Sequence, residues 1–104
     1  MTLTEATSIR AFNVFLATAA VGDRAVYYRG HLAADASTKF TKLPFKEMRE
    51  VGELGAYARD CYERGYVLLM QKRDGDSRYL YIAQRTKAAL PEQLRTPARE
   101  LEDA

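Results

Sequence analysis

Apolar side chains recur at helical spacing in some stretches of the chain and gather in short β-branched and aromatic runs in others, which outlines the elements before any chemistry is considered. Ile9, Phe12, Leu16 and Ala19, with Phe15 beside them, share one helical face, so residues Thr4 to Ala20 are expected to form a first amphipathic helix. Thr2 and Glu5 would cap its start and Gly22 would stop it. The run Arg24-Ala25-Val26-Tyr27-Tyr28 reads as a strand ended by Gly30, and His31 to Asp35 as a short helix. Ser37 to Leu43 reads as a connection carrying Lys39 and Lys42. Pro44 suits a first helical turn, and Val51, Leu54, Ala58 and Cys61, with Met48 one turn earlier, form an apolar stripe as far as Arg64. Gly52 and Gly55 leave two readings of this segment: two helices with a turn near Gly52, or one helix whose glycines admit a close neighbour.

Gly65 ends the helical pattern, and two strand patterns follow, Tyr66 to Arg73 and Arg78 to Arg85, around Asp74-Gly75-Asp76-Ser77. A simple four-residue turn would set Arg73 opposite Arg78. In that register Val67, Leu69, Leu80 and Ile82 share the core face. The other face would pair Lys72 with Tyr79, Met70 with Tyr81 and Tyr66 with Arg85. Beyond Lys87 the chain changes character: Pro91 and Pro97 interrupt it, and Leu90, Leu94, Ala98 and Leu101 keep a helical spacing. Residues 91–104 are therefore either a short docking helix or an acidic tail, following a domain of residues 1–90.

With 104 residues the chain is one domain that needs neither disulfides nor metals to fold. Its single cysteine, Cys61, sits inside a helical pattern and is expected to act as a small buried hydrophobe in a reducing, cytoplasmic setting. The N-terminal residues lack the pattern of a secretory signal, and no apolar run approaches the roughly 20 residues that a membrane span requires. Residues 1–90 hold 14 Lys and Arg against 10 Asp and Glu, and residues 91–104 hold 2 against 4. A mildly basic body with an acidic end is compatible with a polyanion partner, though it falls short of an extreme charge excess.

The order helix, strand, short helix, longer helix, strand, turn, strand is similar to the winged helix-turn-helix superfamily. Tyr62-Glu63-Arg64-Gly65-Tyr66-Val67 resembles its junction between recognition helix and wing, and Arg73-Asp74-Gly75-Asp76-Ser77-Arg78 resembles the wing tip of MarR-like regulators. The resemblance covers about residues 7–86. It implies an α+β domain with a two- to three-stranded antiparallel sheet, a small transcriptional regulator that can act as a dimer, whose recognition helix enters the major groove of double-stranded DNA while its wing touches the minor groove or backbone. Carried over by position, Lys46, Arg49 and Arg59 would be the contacts on the helix, and Lys72, Arg73 and Arg78 those of the wing, with Arg29 and His31 as further backbone contacts.

Against that expectation stands the charge of the Phe45 to Arg64 helix, in which Glu47, Glu50, Glu53, Asp60 and Glu63 face only Lys46, Arg49, Arg59 and Arg64. Such a helix also suits a protein-interaction or dimerisation module, with Tyr66, Tyr79 and Tyr81 forming an interface on the outer face of the hairpin or stacking on exposed bases. An enzyme is not expected. The lone His31 rules out histidine-pair metal sites and histidine triads, no phosphate loop follows a strand, and Asp74 and Asp76 read as turn residues rather than a cation loop. No cofactor and no membrane partner are expected.

Overall fold

The structure, a computed structural model, describes residues 3–75 and 78–95. The chain runs β1 (Thr4–Glu5), α1 (Ile9–Thr18), β2 (Arg24–Gly30), α2 (Leu32–Asp35), α3 (Phe45–Glu63), β3 (Val67–Arg73), β4 (Tyr79–Arg85), α4 (Glu92–Arg95). It is a compact α+β domain with one four-stranded mixed sheet in the order β1-β2-β4-β3. No helix among the described residues is long and apolar enough to cross a membrane.

The edge strand β1 was not expected. Thr4 and Glu5 pair in parallel with Ala25 and Val26, and the Ala6 amide donates to the Val26 carbonyl at 2.9 Å. That pairing draws Glu5 out of the first helix, so α1 starts at Ile9 with extended Ser8 as its cap, the hydroxyl accepting from the Ala11 amide at 3.0 Å. The expected pairing of Glu5 with Thr2 as a capping box is thereby replaced. Phe12, Phe15 and Leu16 of α1 are buried against Leu54, Ala58 and Cys61 of α3 and against Ala25, Tyr27, Val67 and Ala83 of the sheet.

α3 is one unbroken helix, and its glycines make room for α2. A Cβ on Gly55 would lie 3.4 Å from the Leu32 side chain, and one on Gly52 would lie 3.8 Å from Ala36. At the C-terminal end Gly65 takes φ +86, the Tyr66 amide donates to the Cys61 carbonyl and the Gly65 amide to the Tyr62 carbonyl. These two bonds satisfy helix-end carbonyls and turn the chain directly into β3.

The hairpin differs from the expected register by one residue. The Asp74 amide donates to the Arg78 carbonyl at 2.8 Å, and Arg73 pairs with Tyr79, Lys72 with Leu80 and Val67 with Arg85. An odd number of residues between the closing pair inverts one strand relative to the other. Val67 and Leu69 therefore share the helix-facing side with Tyr81 and Ala83, whereas Ile82 lies across from Met70 and Val26 on the opposite side. The grouping of Leu80 and Ile82 with Val67 and Leu69 is corrected accordingly. A bulge between Val26 and Tyr28 sets Tyr27 and Tyr28 both against Tyr81, with ring centroids 6.2 and 6.1 Å away.

Beyond β4, one guanidinium holds several chain segments together. Arg85 donates to the carbonyls of Leu16, Tyr66, Thr86 and Ala88, which ties the end of α1 and the start of β3 to the segment leading into α4. Leu90 is buried and Leu94 packs on the core; Pro97, Ala98 and Leu101 lie outside the described residues.

Candidate nucleic-acid interface

α2 is pinned to the sheet by its own ends. The Tyr28 hydroxyl donates to Asp35 Oδ2 at 2.5 Å, the His31 amide donates to the same oxygen at 3.3 Å, and the Leu32 amide donates to the Tyr81 hydroxyl at 3.0 Å. Gly30, at φ +136, is required beneath this arrangement, because a Cβ there would fall 2.9 Å from Asp35 Oδ2. With α2 fixed on the sheet and against the Gly52–Gly55 flank of α3, the segment from Ala36 to Pro44 must bridge the two helices across the surface.

That bridge is the most exposed apolar feature of the described residues. Phe40 is 73% exposed and Phe45, the first residue of α3, is 69% exposed. Between Asp35 and Glu47 the chain carries Lys39, Lys42 and Lys46 and no carboxylate. Local bonds order it: the Lys39 amide donates to Ser37 Oγ, the Leu43 amide to Thr41 Oγ1 and the Thr41 amide to the Ser37 carbonyl. Phe40 and Phe45 are thus left exposed in a run that carries three lysines, the Phe45 ring lying beneath Arg49.

Around the axis of α3, at 100° per residue, Arg49 lies next to Glu53, and Lys46 falls between Glu53 and Glu50. Arg49 stands over the Phe45 ring, 5.9 Å from its centroid, and its Nε lies 3.9 Å from Glu53 Oε1. Glu53 also lines, with Glu47, Glu50, Val51 and Leu54, a groove of about 560 Å³ closed on its other side by Ile9, Tyr28, Arg29 and Leu43. Neither Glu47 nor Glu50 makes an ion pair with a described residue. At the far end Asp60 and Arg64 pair with each other at 2.9 Å, a bond that raises the Arg64 guanidinium further above its ordinary range. Phe45 and Arg49 thus stand at the N-terminal end of the helix beside an acidic groove.

Lys46 and Arg49 fall together in the first turns of α3 with Lys39, Lys42 and Phe40 close by in sequence. Arg59 lies apart, about 15 Å further along the axis by helical rise. Its charge acts on the Tyr27 hydroxyl, opposing the burial that pushes that phenol up to about 12. The hairpin residues Lys72, Arg73 and Arg78 are exposed, and Arg73 Nε donates to the Gly75 carbonyl at 3.0 Å. The hairpin turn extends from the end of the sheet where Gly30 pairs with Tyr79 and Tyr79 with Arg73. Tyr28 and Arg29 of that end also line the groove under the first half of α3, so the hairpin turn and the start of α3 lie at one end of the sheet. Arg29 is committed to Glu5, an ion pair that raises its guanidinium further, and exposed His31 sets its ring edge against Tyr79 at 5.9 Å.

The three tyrosines expected on an outer hairpin face lie elsewhere. Tyr79 and Tyr81 turn to the helix side, Tyr66 precedes β3, and both Tyr66 and Tyr81 pack on the core. Tyr81 is the hub of an edge-to-face series that runs from Phe15 through Phe12 and Tyr27 to Tyr81, Tyr79 and His31. Their placement argues for packing, so the register that presented them outward no longer supports an interface there. Phe40 and Phe45 are the residues that sequence periodicity overlooked; the available signal was two aromatics in an acid-free, lysine-rich stretch with neither helical nor strand spacing.

Burial keeps the interior protonated. Desolvation pushes Cys61 up to about 11 and Tyr57 to about 12, and it raises Tyr28 with help from Asp35. Among the described residues no group of histidine, cysteine or carboxylate side chains is placed to hold a metal ion. No protein-family model, curated protein or solved structure matches the chain.

Proposed function

We propose that the chain is a winged-helix DNA-binding domain, a small transcriptional regulator whose helix-turn-helix is α2, the 36–44 bridge and α3, and whose wing is the β3–β4 hairpin. The element order α1-β2-α2-α3-β3-β4, with β4 lying between β2 and β3, supports the reading. The observation that carries it is the cationic, carboxylate-free run with exposed Phe40 and Phe45 leading into the first turn of α3. In a helix-turn-helix this is the part that meets base edges. Lys39, Lys42 and Lys46 there, and Lys72, Arg73 and Arg78 on the wing, supply six cations for phosphates. Fluorescence anisotropy with a duplex across a salt series tests the reading. Six phosphate contacts give a slope of log K against log salt of about −5. A chain that binds no duplex even at low salt is not a DNA-binding domain.

The acidic groove favours a second reading, a protein-interaction module on the same scaffold that takes a basic segment of a partner against Glu47 and Glu50. That module is indifferent to duplex DNA and loses its partner in the Glu47→Gln, Glu50→Gln double variant.

A further inference from the structure

Phe45, Arg49 and Glu53 form a column at four-residue spacing on α3, and from it, resting on the DNA-binding reading above, we infer that the domain reads a thymine beside a guanine. The outward side chains in this half of the helix include no serine, threonine, asparagine or glutamine to hydrogen-bond base edges. Arg49 is the group suited to a base. Its planar guanidinium matches guanine O6 and N7 as a bidentate donor, and no other base presents that pair of acceptors in the major groove. In the free protein its guanidinium already stands over the Phe45 ring at 5.9 Å, with Glu53 Oε1 3.9 Å from its Nε. An arginine oriented in the free protein loses less side-chain freedom when it docks.

Phe45 supplies the second letter. Its ring is 69% exposed one helical turn before Arg49, where it fills no internal space. The thymine C5-methyl is the one apolar group that base edges present in the major groove, and an aromatic ring covers it. With ring and guanidinium 5.9 Å apart, the inference places the bases they touch at adjacent positions in the stack. The column therefore selects a thymine–guanine step, and lysines 39, 42 and 46 set its register through the backbone.

The test begins with selection of a preferred duplex from a random pool by the full chain, followed by single-atom changes in that duplex. Replacing the thymine by uracil removes only the methyl and should weaken binding about fourfold. Replacing the guanine by 7-deazaguanine removes only N7 and should weaken it about tenfold. Phe45→Ala should abolish the uracil effect while keeping the 7-deazaguanine effect, and Arg49→Ala should do the reverse. Both residues are exposed, so thermal melting should show each variant folded, and Phe45→Leu should restore part of the thymine preference. Equal wild-type affinity for thymine and uracil duplexes, or a thymine preference that survives in Phe45→Ala, overturns the inference and leaves DNA binding standing. Absence of binding to any duplex removes both.

Discussion

Two flanks of the first turns of α3 differ in chemistry. Phe45 and Arg49 stand outward on α3, whereas Glu47 and Glu50, interleaved with them in sequence, turn into the groove beside Ile9, Leu43 and Tyr28. At 100° per residue a helix sends neighbours to different surfaces, so a charge sum over the segment describes neither surface. The total of five carboxylates against four cations made this helix look unsuited to DNA. Divided by flank, Phe45 and Arg49 stand on one side and Glu47 and Glu50 on the other, with Glu53 common to both.

The separation depends on α2 holding its place, which makes the glycine flank the point where the comparison is most easily broken. Gly55→Leu would drive side-chain atoms past the 3.4 Å Cβ contact into Leu32. It is expected to lower stability by about 2 kcal/mol in denaturant titration and to displace the 36–44 bridge. Gly55→Ala, which stops at ordinary contact, is expected to raise stability by up to about 1 kcal/mol through helix propensity. Next in size is the outward flank: Arg49→Ala should weaken duplex binding about tenfold in anisotropy, at an unchanged melting temperature. On the wing, alanine at Lys72, Arg73 and Arg78 should reduce the salt slope by about 3 while leaving base preference intact.

The groove flank should respond weakly and with opposite sign. Glu47→Gln with Glu50→Gln removes two exposed negative charges and should tighten duplex binding about threefold at low salt, an effect that disappears as salt screens it. A loss of binding would place the DNA in the groove and invert the assignment of the two flanks.

The smallest effect at neutral pH belongs to the shared interior beneath both flanks. Cys61, Tyr27 and Tyr57 have pKa values raised by burial to about 11, 12 and 12, above the ordinary 9.0 for the thiol and 10.0 for the phenols. A raised value means that the folded state prefers the protonated form. Their contribution is fully present below the unfolded pKa values and is lost as pH climbs through the folded ones. Stability followed by circular dichroism should be flat in these groups up to about pH 9 and fall towards pH 12. A thiol reagent at pH 8 should label native Cys61 far more slowly than urea-unfolded chain; equal rates would show that the α3 core stripe opens readily.

Much of the architecture was legible from local pattern. The α1 face, the α3 stripe, the stop at Gly65 and the existence of the hairpin each follow from spacing and turn chemistry over a few residues. What escaped was set by pairing at a distance. The strand character of Thr4 and Glu5 exists only because β2 offers its edge, and the doubling of Tyr27 and Tyr28 onto one face comes from a bulge against Tyr81. The wing register turned on whether three or four residues lie inside the closing pair, a difference that moves every β4 side chain to the other face. Tyr79 and Tyr81 consequently changed from a surface expectation into ring packing under α2.

The amino-acid sequence alone determined which stretches are helical and which extended, which positions are apolar, and that positive charge collects at the β3–β4 hairpin and around Lys39 to Arg49, because those properties depend on neighbours along the chain. Only the tertiary structure decided which side of α3 each charge occupies and that Phe40 and Phe45 stay uncovered. It also decided that one carboxylate, Asp35, holds α2 in place through Tyr28 and His31. Each of those depends on which surfaces lie against one another, and burial between elements far apart in sequence is fixed by packing and strand register rather than by local composition.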